Sequence, residues 1–145
     1  MAKVGAMSIR YRPMTLRDYA AAVELWNDSE GVAIDVGDER AGLARFLRRN
    51  RGSSFVACDG RRVVGALLAG HDGRRGYLYH LAVARSHRGR GIATQIERRS
   101  LAALRRAGLP RTVILVIRSN RGGRLFWQRR RWEGLPRVLP MIHDL

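Results

Sequence analysis

The hydrophobic and polar positions of the chain change period several times, and each change marks an element. Ser8 to Arg12 alternates apolar and polar side chains and reads as a short strand. Thr15 then precedes Asp18 at the spacing of a helix N-cap and its partner, and Leu16, Tyr19, Ala20, Val23 and Trp26 recur at helical intervals. This pattern predicts a helix over 16–26 with those apolar residues as one buried stripe. Asp38 as a cap, with Leu43, Phe46 and Leu47 on one side, predicts a shorter helix over 39–49.

Farther along, 55–58 and 63–69 flank Asp59 and Gly60 as an antiparallel hairpin, and the glycine density of 70–76 predicts a loop. Tyr77 to Val83 has the aromatic and β-branched content of a strand, and Ile92 to Arg106 is a long helical stretch ended by Gly108 and Pro110. Thr112 to Ile117 is almost uniformly apolar, which predicts a strand covered on both faces. Leu125 to Arg130 predicts a helix and Val138 to His143 a last strand. The order βααβββαβαβ argues a mixed α/β (α+β) fold, a central sheet with helices on both sides. The length suits one domain over 1–145, with residues 1–7 a flexible N-terminus.

Composition changes this picture in one respect. The chain carries 28 Lys and Arg against 12 Asp and Glu, a formal net charge of +16, and Lys3 is the only lysine. Such a surface attracts anions: a polyanionic cofactor and an RNA-rich or ribosomal setting are the specific readings, and an arginine bias in coding is the bland one. The aromatics are not interleaved with arginines as a stacking platform requires, except near Phe126, Trp127 and Trp132. No run reaches the roughly 18 apolar residues of a membrane span, and Met1 to Met7 lack the apolar block of a secretory signal, so the reading is a soluble, cytoplasmic protein. The lone Cys58 reads as a packed strand thiol, and neither disulfide nor metal chemistry is indicated.

The most informative stretch runs from Leu81 to Thr94: a strand end, a turn rich in Arg and Gly, and a helix start. Gly89 and Gly91 permit positive φ and let an anion approach the main chain with no Cβ in the way. The helix beginning near Ile92 leaves its first N–H groups unpaired at the positive end of its dipole, so a pyrophosphate is the natural ligand, with Arg88 and Arg90 adding charge-assisted contacts. A P-loop would need a GKS or GKT ending, and the dinucleotide fingerprint GxGxxG is matched only partially. A plain β-to-α turn with solvated arginines is the remaining alternative.

Arg88, Gly89, Arg90, Gly91, Ile92 and Ala93 spell RxxGxA, which resembles the pyrophosphate-binding motif of the GNAT superfamily of N-acetyltransferases. The order of elements from about Ile9 onward agrees with that family. The stretch from Gly70 to Ala93, with its GxDGxRG segment, looks like the small bacterial acetyltransferases of the YpeA type. The resemblance implies the GNAT fold: a mixed, mostly antiparallel sheet, helices on both faces, and a strand pair that splays apart after Val83. It also implies acetyl-CoA as donor, with its pyrophosphate on the turn from Arg88 to Thr94. Its pantetheine arm would lie beside Leu81, Ala82 and Val83 and touch Asn120. The implied reaction moves acetyl directly to a primary amine of a small molecule, peptide or protein, with no metal, and similar proteins are commonly dimers.

One segment departs from the family. Where the family reads NxxAxxxYxxxGF, this chain has Asn120, Gly123, Trp127, Arg131 and Trp132. An indole N–H does not ionise usefully near neutral pH, so Trp127 keeps the tyrosine's place beside the cofactor but not its work as acid to the departing thiolate. Tyr79, Tyr77 or solvent would supply that proton, and a thiol of pKa about 8.5 leaves tolerably unaided. The acceptor amine must be neutral to attack, and His80 on the motif strand is the candidate base, with Asp35, Asp38 and Glu39 as rivals. His71 and His87 read as solvated loop residues. Asp28 with Glu30, and Asp35 with Asp38 and Glu39, read as solvated loop acids or as attractors of a cationic acceptor. Two other readings stand beside the enzyme: a catalytically weak or inactive CoA-binding module, and a ribosome- or RNA-associated protein N-acetyltransferase.

Overall fold

The computed structural model describes residues 8–145, and the expected flexible N-terminus over 1–7 lies outside the described residues. The chain gathers into two compact units, one ending at Leu115 and the other running from Val116 to Leu145. The first holds a five-stranded sheet in the order β1 (Ile9–Pro13), β2 (Phe55–Asp59), β3 (Arg62–His71), β4 (Gly76–Val83), β5 (Thr112–Ile114). The first four strands form an antiparallel meander, and β5 pairs parallel with β4 after the crossover through α3 (Ile92–Arg106). The mixed α/β class and the mostly antiparallel sheet read from the sequence are what the chain forms.

α3 covers one face of this sheet. Ile92, Ile96, Ser100 and Leu104 are its buried stripe, and a Cβ on Gly65 of β3 would stand 2.7 Å from Ile96 Cδ1, so this glycine sets how closely helix and sheet approach. The opposite face is covered by α1 (Tyr19–Asn27) and α2 (Arg40–Arg49): the Trp26 ring lies 5.2 Å from that of His80, and Phe46 packs edge-on against Tyr79. Cys58 is buried in β2, as a packed thiol should be.

The Thr15–Asp18 spacing does form a capping box, with the Thr15 N–H donating to Asp18 Oδ2 at 2.9 Å, but the first turn, Leu16–Asp18, is a 3₁₀ turn and α1 proper starts at Tyr19. Asp18 is buried and also takes two hydrogen bonds from Arg12, at 2.7 and 2.8 Å. Burial alone would raise this carboxyl; the Arg12 and Thr15 hydrogen bonds outweigh it and hold its pKa below the ordinary value. A depressed folded pKa stabilises above the unfolded value, so the pair contributes at neutral pH and is lost only as pH falls through the folded pKa.

Three expectations are corrected. The buried stripe of α1 is Ala22, Leu25 and Trp26, while Ala20 is exposed and Tyr19 and Val23 are half-buried beside an open groove. Tertiary contact rotated the helix so that its one tryptophan, not its longest apolar row, meets the sheet. β5 ends at Ile114 instead of Ile117, and it is not covered on both faces: its residues are half-buried and Leu115 is 64% exposed, because it is an edge strand. Val138 to His143 forms no strand; Pro136 precedes it and Pro140 lies within it, and a proline cannot donate to a ladder.

In the second unit α4 runs from Arg121 to Arg129, four residues earlier at its start than the sequence pattern indicates. It ends in a Schellman motif: the Trp132 N–H donates to Trp127 O at 3.0 Å and the Arg131 N–H to Gln128 O at 2.9 Å. The left-handed position of that motif, usually glycine, is Arg131, at φ 66°. In α3 the same position is Gly108, at φ 89°. Replacing Arg131 with glycine removes the Cβ penalty, so Arg131→Gly should raise the stability of this unit by about 1 kcal/mol in urea unfolding; an unchanged or lower midpoint would show that the arginine side chain has contacts that offset the strain.

Candidate functional site

The site is built around the last residues of β4. Pairing with β5 stops at Leu78↔Ile114, so from Tyr79 onward β4 has β3 on one side and no strand on the other among the described residues. The strands therefore part after Leu78, not after Val83. Pairing with β3 is also interrupted: Leu68 faces Tyr79 and Ala66 faces Ala82, so two residues of β3 span three of β4. The extra residue is absorbed at His80, whose φ is 58°. Because of this bulge, Tyr79 and His80, neighbours in sequence, both meet the helices of the α1 and α2 face.

His80 Nε2 lies 2.8 Å from Asp38 Oδ2, and each side chain is about five-sixths buried at 17% and 16% exposure. The same oxygen accepts the Asp35 N–H at 2.9 Å, so it is the carboxylate acceptor and Nε2 carries a proton; in the neutral form of the ring the lone pair is on Nδ1. Tyr19 Oη donates to the Asp38 carbonyl at 3.3 Å, which ties the 35–39 loop to α1. Asp38, taken from the sequence as a rival to His80, is thus its partner, while Asp35 and Glu39 serve local turns. Tyr79 is half-buried against Tyr77, Phe46 and His80; burial first, then the proximity of Tyr77 and Asp72, pushes its phenol above the ordinary value. It stays protonated at neutral pH.

Downstream of β4, the turn is anchored from below. His87, expected in solvent, is buried: its Nε2 lies 2.9 Å from Asp59 Oδ2 in the β2–β3 turn, and its Nδ1 lies 2.7 Å from Ser86 Oγ. Arg85 reaches Glu30 at 2.9 Å and Asp28 at 3.6 Å, so this acidic pair is engaged with the turn. Arg88 Nε donates to the Val83 carbonyl at 3.0 Å, which occupies one of the groups expected to be open to a pantetheine arm. Gly89 and Gly91 take φ of 74° and 77° with open space where a Cβ would stand. Gly91 is the N-cap of α3; it has no side chain to cap with, and no acid stands in the first turn. The amides of Ile92, Ala93 and Thr94 thus begin the helix without a side-chain cap, at the positive end of its dipole, beside two glycines with open space where a Cβ would stand. The residues present fit a pyrophosphate.

Asn120 and Trp127 belong to the second unit. Asn120 caps α4, its Oδ1 accepting the Gly123 N–H at 2.9 Å. Trp127 is buried, edge-on to Phe126 and Trp132 at 4.9 and 5.2 Å between centroids. Among the described residues no group of three His, Cys, Asp or Glu is placed to hold a metal, and no helix is long and apolar enough to cross a membrane.

Comparison with known proteins agrees with this geometry. The sequence pattern of the Acetyltransferase (GNAT) family matches residues 19–131. Acetyltransferase plu1384 of Photorhabdus laumondii is 32% identical over 103 residues, 71% of each chain. N-alpha-acetyltransferase 30 of Schizosaccharomyces pombe is 33% identical over 81 residues, 52% of this chain and 54% of that one. In fold, the chain is similar to AAC(6′)-Iy bound to a CoA-containing bisubstrate analogue (TM-score 0.75, 18% identity, 95% of this chain and 99% of that one). It is also similar to the PaiA N-acetyltransferase of Thermoplasma acidophilum bound to coenzyme A (TM-score 0.75, 15% identity, 86% and 89%).

The left-handed backbone at Gly91 gives a direct check. Since a Cβ there meets only open space, Gly91→Ala carries the backbone cost alone, and it should lower stability by about 1–2 kcal/mol in thermal unfolding without disordering the core. A melting curve indistinguishable from the parent would mean that the turn does not hold φ near 77° in solution.

Proposed function

Since the chain belongs to the Acetyltransferase (GNAT) family, we propose that it transfers acetyl from acetyl-CoA to a primary amine, the β4 bulge holding the base and the α3 N-terminus holding the donor. The observation that carries this reading is the uncapped start of α3 behind two glycines at positive φ. Acetyl-CoA, when bound, supplies a thioester carbonyl open to attack by nitrogen. The amides of 89–94 and Arg90 are placed to hold its pyrophosphate, with Leu81, Ala82 and the open edge of β4 beside the arm. Arg88, tied to the Val83 carbonyl and 3.9 Å from Glu30, acts by fixing the turn.

His80 takes the proton of the amine. With Nε2–H donated to Asp38, its Nδ1 is the accepting atom, and the carboxylate offsets the charge that the ring acquires. Asp38 is a positioning residue that fixes the tautomer. An alkylammonium has no lone pair, so the neutral fraction of the acceptor, or this proton transfer, sets the rate at low pH. Tyr79, protonated and edge-on to His80, returns a proton to the thiolate in this reading. Trp127, packed among aromatic rings, has no proton to give. In this reading the protein works in the cytoplasm.

Isothermal titration should show one acetyl-CoA site per chain. CoA release against a panel of polyamines, aminoglycosides and peptides should identify an acceptor. On that acceptor, His80→Gln and Asp38→Asn should each lower kcat/KM by about 10²-fold with acetyl-CoA affinity kept. Titration without heat on folded protein would refute the reading. Binding with no turnover on any acceptor would leave a CoA-binding module in place of the enzyme.

A further inference from the structure

At the end of β4 opposite the candidate site lies a second cavity, of about 480 Å³, lined by Arg48, Arg49, Arg51 and Arg106 together with Ser53 and His71. α2 and α3 both end here, and α3 separates the two sites by its length, roughly 20 Å at 1.5 Å per residue. We propose that this cavity binds a phosphate-bearing polyanion, at a site separate from the acetyl-CoA turn.

The first support is that these guanidinium groups make no hydrogen bond or ion pair among the described residues. Arginines in the last turn of a helix commonly offset its dipole or bond its last carbonyls. Here the last carbonyls are already bonded by other groups. The Asn50 amide and its side-chain Nδ2 both donate to Phe46 O, at 3.0 and 3.2 Å. At α3, Ala107, Gly108 and Leu109 donate to Ala103, Arg105 and Leu104. Among the described residues, none of the four arginines is paired with a carboxylate or donates to a carbonyl. Four unpaired like charges around one opening repel each other, and a multiply charged anion relieves that repulsion.

The second support is the floor of the cavity. Ser53 is only 6% exposed, and its hydroxyl meets no partner among the described residues. His71 accepts the Gly73 N–H on Nδ1 at 3.1 Å, so its neutral ring carries its proton on Nε2 as a donor. Asn50 holds this floor in place, its Oδ1 accepting the His71 N–H at 3.0 Å. No carboxylate lines the space, which Gly52, Ala103 and Ala107 complete, and its size falls within the range of about 300–1,000 Å³ of small-molecule sites. Planar forks of five N–H donors pair bidentately with the oxygens of an oxyanion, which chloride lacks, and four like charges around one opening favour a multiply charged phosphate over a singly charged carboxylate.

The charge is also segregated. Residues 18–39 contain seven of the twelve acidic side chains and no lysine or arginine. An arginine bias in coding alone would not leave that acidic stretch, which packs by the candidate site, facing a fold otherwise so basic.

The test uses the full chain saturated with acetyl-CoA, so that the turn is filled, and titrates inorganic pyrophosphate at low salt. A second, saturable site is expected. It should weaken by about tenfold or more in the double variant Arg48→Gln with Arg106→Gln, and measurably in Arg51→Gln. All four arginines are surface side chains, and unchanged thermal unfolding of the variants serves as the control for folding. A six-nucleotide single-stranded RNA forms the other arm. Binding tighter than pyrophosphate, with the same loss in the variants, identifies the source of the phosphate as a nucleic-acid backbone; weaker binding identifies a small oligophosphate. No second site, or a second site equally strong in the double variant, overturns the proposal. The variants touch only this cavity, and a titration of acetyl-CoA alone reports separately on whether the turn is filled.

Discussion

β4 has to do two incompatible things, and the left-handed backbone at His80 is how it does both. Toward β3 it must keep its ladder, because Ala66, Leu68 and their neighbours are fully buried and no water can replace lost hydrogen bonds. Toward β5 it opens after Leu78, and a regular strand would then alternate its side chains past the opening with only every second residue on the α1 face. One extra residue at φ 58° changes that phase. It places Tyr79 and His80 on one face, against Phe46 and Trp26, and allows Asp38 to reach the imidazole from the loop before α2. The strain is on the order of 1 kcal/mol for a non-glycine residue. The buried Trp26 ring and the Asp38 hydrogen bond hold it in place.

The turn after β4 rests on a separate set of restraints. His87 is held by Asp59, Arg85 by Glu30 and Asp28, and Arg88 by the Val83 carbonyl. Together they fix a short loop whose two glycines have no side chains to hold it. The helix that follows therefore presents its first amides from a firm base, which is the arrangement an anion site needs if binding is not to cost the ordering of the loop.

Much of this was legible in the sequence where the signal is local. The β2–β3 hairpin, the long α3 with its Gly108 stop, and the positive φ at Gly89 and Gly91 follow from periodicity and glycine chemistry within short windows of the chain. What could not be read depends on partners far apart in the chain. Asp38 and His80 are 42 positions apart, and His87 and Asp59 are 28 apart; no spacing rule pairs them. The rotation of α1 onto Trp26 and the short, half-exposed β5 were set by what the sheet left uncovered, which a stripe of apolar residues does not encode. Arg131 in a left-handed position illustrates a conflict of local and global preference: the Trp132 to Trp127 contact and the Schellman hydrogen bonds outweigh the Cβ penalty.

The central claim is that the start of α3 is a cofactor site created by backbone, not by side chains. Amide chemical shifts during a titration with CoA test it most directly, because they report on the N–H groups themselves. The largest changes are expected at Gly89, Gly91, Ile92, Ala93 and Thr94, with smaller ones along Leu81 to Val83. Changes centred elsewhere, with the amides of 89–94 unmoved at saturation, would contradict it.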